Sequence, residues 1–239
     1  MNDRITAMIA GGVLAAIGLT AGGAMIAKGL VDIRTGARTV TVRGLAERDA
    51  KSDLAILPLK FAQSGDDLAD TQGRIDADVV KVQSFLRQQG FAPGAVDIGR
   101  LQVIDNNARE YGVQNVRARF ILTQTVVVRS VDVDRVQAAT RALASLVREG
   151  VVLQDFRGAS YRFTRLNDVR PAMIKEATAS ARSGAEQFAA DSGSHLGGIA
   201  SATQGSFEII ERDASPEDGP DASIAKRLRV VTTVTYALR

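Results

Sequence analysis

Cysteine is absent from the 239 residues. That excludes disulfides, Cys-ligated zinc, iron–sulfur clusters, thiol catalysis and a lipid anchor attached through a cysteine. Tryptophan is absent as well, and aromatics make up only 5%, so platforms for stacking bases or sugars are poorly supplied. A single histidine, His195, leaves no zinc-spaced pair. Neither sign of charge dominates. The 30 basic and 27 acidic residues are interspersed and give a formal net charge of +3, which is no electrostatic footprint for nucleic acid. No phosphate loop, dinucleotide fingerprint or nucleophile elbow occurs. With 45% hydrophobic and 24% charged residues, the composition is that of a globular chain able to build one large or two small domains.

The longest feature is an uncharged run from Ile5 to Ala27, bounded by Arg4 and Lys28. As a helix it would extend roughly 35 Å, enough to cross a hydrocarbon core of about 30 Å. The expectation is an uncleaved N-terminal transmembrane helix over residues 1–31. The alternatives are a cleaved secretory signal ending near Gly22-Gly23-Ala24 and a buried helix. Lys28, Arg34 and Arg38 follow the run while only Arg4 precedes it, so flanking charge weakly favours a cytoplasmic folded part. Gly18 and Gly22 have the spacing of closely packed membrane helices, but so Gly- and Ala-rich a segment supplies it cheaply. Residues 32–37 read as a linker.

Beyond it, periodicity predicts strands and helices in turn. Val40 and Val42 alternate with polar neighbours as in a half-buried strand, and Gly44 marks a bulge or a close backbone approach. Leu54 to Ala62 forms a second strand, with Pro58 implying an edge position or an irregularity. Asp66-Asp67 caps a helix reaching Gln89, with Leu68, Ile75, Val79, Val82 and Leu86 as its apolar stripe. Val96 to Ile104 and Asn115 to Arg129 form another strand pair. A second helix begins at Asp132 or Asp134 and buries Val136, Leu143 and Val147. Val151 to Gln154 pairs with Ala159 to Phe163. The third helix, Asp168 to Asp191, carries Pro171 in its first turn. Its stripe is Ile174, Ala177, Ala181, Ala185 and Phe188, small enough for close packing. Ile199 to Ile210 and Leu228 to Ala237 complete the set. The fold class expected is α+β, with antiparallel strand pairs alternating with three helices in ββα-type units.

Val40-Thr-Val-Arg-Gly-Leu-Ala-Glu-Arg48, followed by Asp53-Leu-Ala-Ile-Leu57, resembles the opening strands of the SIMPL-domain family. Leu166-Asn-Asp-Val-Arg-Pro171, the alanines 177, 181 and 185, and Gly197-Gly-Ile199 resemble its C-terminal helix and the following glycine turn. Lys51-Ser52-Asp53 departs from the Lys-Pro-Asp found in many members. The resemblance covers residues 38–239 and implies a bacterial envelope protein facing the periplasm. It further implies a homo-oligomer and a part in oxidative or envelope stress.

Candidate chemistry is sparse. His195 with Ser192 or Ser194 could form a histidine-based triad, but neighbours that close fix no triad geometry, and a turn at a helix end is favoured. Glu211, Asp213, Glu217, Asp218 and Asp221 lack calcium-loop spacing and read as a solvated loop. Asp105-Asn106-Asn107 and Arg109-Glu110-Tyr111 read as a long exposed connection rather than a recognition loop. Arg117 and Arg119 with Arg227 and Arg229 could line one basic sheet face, solvated or salt-bridged in the plainer reading.

No catalytic, cofactor-binding or metal residue is assigned, no cofactor is expected, and the chain is not expected to be an enzyme. The expectation is a single-pass inner-membrane protein attached through Ile5 to Ala27. Its periplasmic domain assembles by strand edge or sheet face into a scaffolding homo-oligomer without nucleic acid. The alternatives are a periplasmic module that captures a small anionic or apolar ligand, and an enzyme of unknown type. A soluble periplasmic form after cleavage is the alternative location.

Overall fold

The computed structural model describes residues 38–108, 118–213 and 221–239, together with 18, 20, 22, 23 and 25. In chain order the elements are β1 (Thr39–Lys51), β2 (Leu54–Gly65), α1 (Leu68–Gln88), β3 (Val96–Ile98), β4 (Gln102–Asp105) and β5 (Phe120–Ser130). There follow α2 (Val133–Ala142), α3 (Ala144–Arg148), β6 (Ser160–Arg162), α4 (Leu166–Asp191), β7 (Leu196–Glu211) and β8 (Ala225–Leu238). Contacts divide the chain into two units. One is Met1–Leu45, Glu176–Gly205 and Val231–Arg239; the other is Ala46–Lys175 and Ser206–Val230.

The α+β class with antiparallel sheets stands, but the strand pairs differ from those expected. β1 does not pair with β2. It joins a three-stranded sheet of order β1-β8-β7, while β2 lies inside a second sheet of order β3-β5-β2-β6, with β4 also on β5. β7 and β8 run antiparallel: His195 and Arg239 exchange both backbone hydrogen bonds at one end, and the Arg212 amide reaches the Ala225 carbonyl at the other. The span 96–104 breaks into β3 and β4, which both pair with β5. Val151 to Gln154 contributes only a Leu153–Phe61 bridge, leaving β6 to pair with Leu54–Ile56 of β2.

That last gap accounts for Pro58. The Lys60 carbonyl accepts from the Gln154 amide on the β6 side of β2. Alternate residues of an antiparallel strand present their backbone groups to the same side, so the Pro58 nitrogen faces that side too. There β6 has ended at Ile56 and the bridge begins only at Phe61, so no partner lacks a donor.

Within Ala46–Lys175 and Ser206–Val230 the core lies between the five-stranded sheet and its helices. Ala55, Leu57, Leu59 and Phe61 of β2 are fully buried, the period of a strand with one covered face. They pack with Leu122, Val126 and Val128 of β5 and with Ile75, Val82, Phe85 and Leu86 of α1. Each of these leucine, valine, isoleucine and phenylalanine side chains contributes about 1.5–3 kcal/mol. The caps fall where expected: Asp67 accepts from the Asp70 amide and Asp132 from the Arg135 amide. The α1 stripe is partly displaced, since Leu68 is exposed while Phe85 is buried.

In the other unit, Val40, Ala181, Ala185, Val234 and Tyr236 form the core. The buried row of α4 is Met173, Ala177, Ala181, Ala185 and Ala189, not the row ending at Phe188, which is 52% exposed. A spacing of four advances about 40° per step, so the row winds gradually around the helix. Gly44 of β1 lies directly against it, as a close backbone approach.

The N-terminal transmembrane helix is corrected. Among the described residues, no helix is long and apolar enough to cross a membrane. Of Ile5–Ala27 only Gly18, Thr20, Gly22, Gly23 and Met25 are described, all helical, and the remainder of the anchor and the whole linker lie outside the described residues. The expectation of a single-pass inner-membrane protein does not stand. The expected attachment to a membrane falls with it, because no described helix can cross one.

Candidate functional site

Three adjacent strand ends meet at one end of the five-stranded sheet. The register sets Ala55 of β2 opposite Ser130, the last residue of β5, and Leu54 opposite Arg162, the last residue of β6. The residues just outside those ends are polar: Lys51, Ser52 and Asp53 before β2, Asp132 and Asp134 after β5, and Thr164 and Arg165 after β6. With Val131 and Val133 they line a cleft of about 500 Å³.

The cleft has a fixed wall and an exchangeable one. Asp53 is the fixed wall. Its carboxylate accepts from the Thr164 amide at 2.8 Å, the Thr164 hydroxyl at 2.9 Å, and the Arg165 amide and Nε both at 3.1 Å. Its side chain is only 11% exposed. Burial alone would raise its pKa, but those four donors outweigh it and hold the carboxyl below its ordinary value. The backbone of Ser52 is also anchored, its amide donating to the Ile224 carbonyl.

The exchangeable wall is the ion pair between Lys51 and Asp134, whose side chains are 58% and 67% exposed. Asp132 stands beside it as the N-cap of α2. Its carboxylate also meets the Arg135 guanidinium at 3.2 Å, and Arg135 donates to the Gly90 carbonyl at 2.7 Å. Of the residues lining the cleft, Ser52 carries a buried Oγ with no hydrogen-bond partner.

The residues singled out in the sequence gather elsewhere. His195 sits between α4 and β7, its backbone paired with Arg239 in both directions. It borders a separate shallow cleft of about 430 Å³ with Glu186, Ala189, Ala190 and Ser194. The Ser192 hydroxyl is used by the Ala189 carbonyl at 3.1 Å, a helix-end bond and not a triad contact.

Of the acidic loop, Glu217 and Asp218 lie outside the described residues, and Asp213 pairs with Arg212. Glu211 and Asp221 face the buried ammonium of Lys226 at 3.5 and 3.4 Å. Among the described residues no group of three His, Asp or Glu side chains could hold a metal ion.

Asp105 pairs with Arg119, whose guanidinium keeps the carboxyl below its usual range. Asn106 is buried and donates to the Ala118 carbonyl, whereas Arg109, Glu110, Tyr111 and Arg117 lie outside the described residues. Arg119 immediately precedes β5 of the five-stranded sheet, but Arg227 and Arg229 belong to the three-stranded one, so they share no face. Arg227 pairs with Asp49 at 2.9 Å and Arg229 with Glu47 at 3.6 Å. The salt-bridged reading of the strand arginines holds for these three.

Sequence reasoning missed the cleft residues as a set. Lys51-Ser52-Asp53 stood out only as a departure from the Lys-Pro-Asp of many family members, and Asp132 and Asp134 only as alternative starts of a helix. The available signal was a polar cluster at each of three strand ends, which becomes a site only once β2 is known to lie between β5 and β6.

Residues 40–236 match the model of the SIMPL family, described as a protein of unknown function (DUF541). No curated protein matches the chain.

Proposed function

The chain belongs to the SIMPL family, and from that premise we propose that it is a small-ligand-binding module whose site is the cleft at the ends of β5, β2 and β6. The membrane-anchored reading loses its support with the spanning helix, and the ligand-binding alternative takes its place. One observation carries this reading. A concavity of about 500 Å³ is bordered by five charged side chains, two of which, Asp53 and Arg165, are held in place by four hydrogen bonds. Ligand sites are concave, largely preformed, and supplied with a few convergent polar groups. Arg119, Arg227 and Arg229 are not among the residues that line it.

The reading is of binding and not of catalysis. Asp53 is held deprotonated, which suits a positioning carboxylate better than a proton donor. The Ser52 hydroxyl has no base beside it. His195, the chain's sole histidine, borders a different cleft.

A thermal-shift screen of small polar metabolites tests the proposal. At a concentration of about 100 times its Kd, a ligand stabilises the protein by about 2.7 kcal/mol, which gives a clear rise in Tm. A Lys51→Met/Asp134→Asn variant is expected to lose that rise. If no compound raised Tm, or the variant responded as strongly as the parent, the cleft would not be the binding site.

A further inference from the structure

Resting on the cleft reading above, we infer that the ligand is a small zwitterion, a compact molecule carrying one ammonium and one carboxylate. The argument is charge balance at the exchangeable wall. Lys51 and Asp134 face one another as a single exposed contact, and such pairs contribute only about 0–1 kcal/mol, so a ligand can open them cheaply. A lone anion taking Lys51 would leave Asp134 unpaired beside a second negative charge. A lone cation taking Asp134 would strand Lys51. A zwitterion inserted between them replaces one ion pair by two, its carboxylate on Lys51 and its ammonium on Asp134.

The rest of the cleft agrees with that polarity. Ser52 lines it too, with a buried hydroxyl that lacks a partner. Val133 and Asp134, the first residues of α2, line the cleft as well. Asp132, with a half-exposed carboxylate, adds negative charge beside Asp134 for the ammonium end. Val131 is 82% exposed at the rim and offers an apolar surface to the ligand's carbon skeleton.

Full-length protein is titrated with three matched probes: L-leucine, isocaproate, which lacks the ammonium, and isoamylamine, which lacks the carboxylate. Binding is followed by the NMR amide shifts of Lys51, Ser52, Val133, Asp134, Thr164 and Arg165. Leucine is expected to shift these amides at least about tenfold more tightly than either truncated probe. Lys51→Met and Asp134→Asn should each weaken it by about tenfold or more. The exchanged pair Lys51→Glu/Asp134→Lys, which keeps both charges, should recover part of the loss, because Asp132 stays beside the new ammonium.

Isocaproate or isoamylamine binding as tightly as leucine would overturn the zwitterion and leave the cleft reading intact. No shift with any probe would also overturn it, and the metabolite screen would then decide the cleft reading independently. An exchanged pair that binds no better than the single variants would equally overturn it.

Discussion

Replacing Gly44 by alanine should be among the most damaging small changes this chain can suffer. A Cβ built on Gly44 falls 1.9 Å from the Ala177 carbonyl oxygen, 2.5 Å from the Ala181 amide nitrogen and 2.8 Å from the Ala181 Cβ. The two nearest atoms are helix backbone, which cannot turn aside as a side-chain end could. Ordinary contact begins at 3.4 Å, so β1 and α4 must part locally by about 1.5 Å, a gap that forfeits much of the dispersion attraction across the seam. That seam holds Val40, Ala181, Ala185, Val234 and Tyr236. Overpacking costs about 1–3 kcal/mol where a site yields; against rigid backbone the expected loss is about 3 kcal/mol or more.

Urea unfolding followed by circular dichroism measures the effect. With a slope of about 1–3 kcal/mol per molar, the midpoint should fall by about 1 M or more with the slope unchanged. Gly184→Ala, on the same helix with nothing within 4 Å of its added Cβ, is the control and should gain up to about 1 kcal/mol. Adding Ala181→Gly to Gly44→Ala removes the 2.8 Å clash but neither backbone clash, so it should recover little. A Gly44→Ala protein within about 1 kcal/mol of the parent, or full rescue by Ala181→Gly, would refute the close-approach account.

The fixed wall and the buried lysine give two further expectations. The folded pKa of Asp53 is lowered, so its stabilisation is present above the unfolded carboxylate value near about 4 and is lost as pH falls through the lower folded value. Asp53→Asn should therefore be less stable at neutral pH and show a flatter acid limb in urea midpoints taken across pH; parallel profiles would refute the assignment. Lys226 is 1% exposed with its ammonium between Glu211 and Asp221, yet much of what it buries is aliphatic stem. Lys226→Met should cost less than Lys226→Ala by about 1–2 kcal/mol in the same assay, and equal costs would show that the charge, not the stem, matters.

What was legible in the sequence was local. Asp67 and Asp132 cap their helices through residues three positions away, so a short window suffices to find them. The alanines of α4 recur at a helical period, and Gly44 is the one glycine of β1. The partner of β1 is another matter. The Thr41 hydroxyl meets that of Thr235, 194 residues away, and nothing near Thr41 announces this. Adjacent strands are a sound first pairing, but here the chain leaves one sheet at Lys51 and enters another at Leu54. The cleft was hidden for the same reason, because the donors that hold Asp53 lie 111 and 112 residues further on.

That corner also explains how one short stretch can serve structure and binding together. Asp53 gives its lone pairs to Thr164 and Arg165, and so ties the start of β2 to the segment that follows β6. The turn at Ser52 then brings Lys51 to the same cleft, where its single contact with Asp134 is open to solvent. A carboxylate with four donors is costly to disturb, whereas an exposed ion pair is not. Substitutions at Asp53 should therefore register first in stability and those at Asp134 first in ligand affinity. Two residues of one cleft that part in this way would mark Asp53 as its frame and Asp134 as its contact surface.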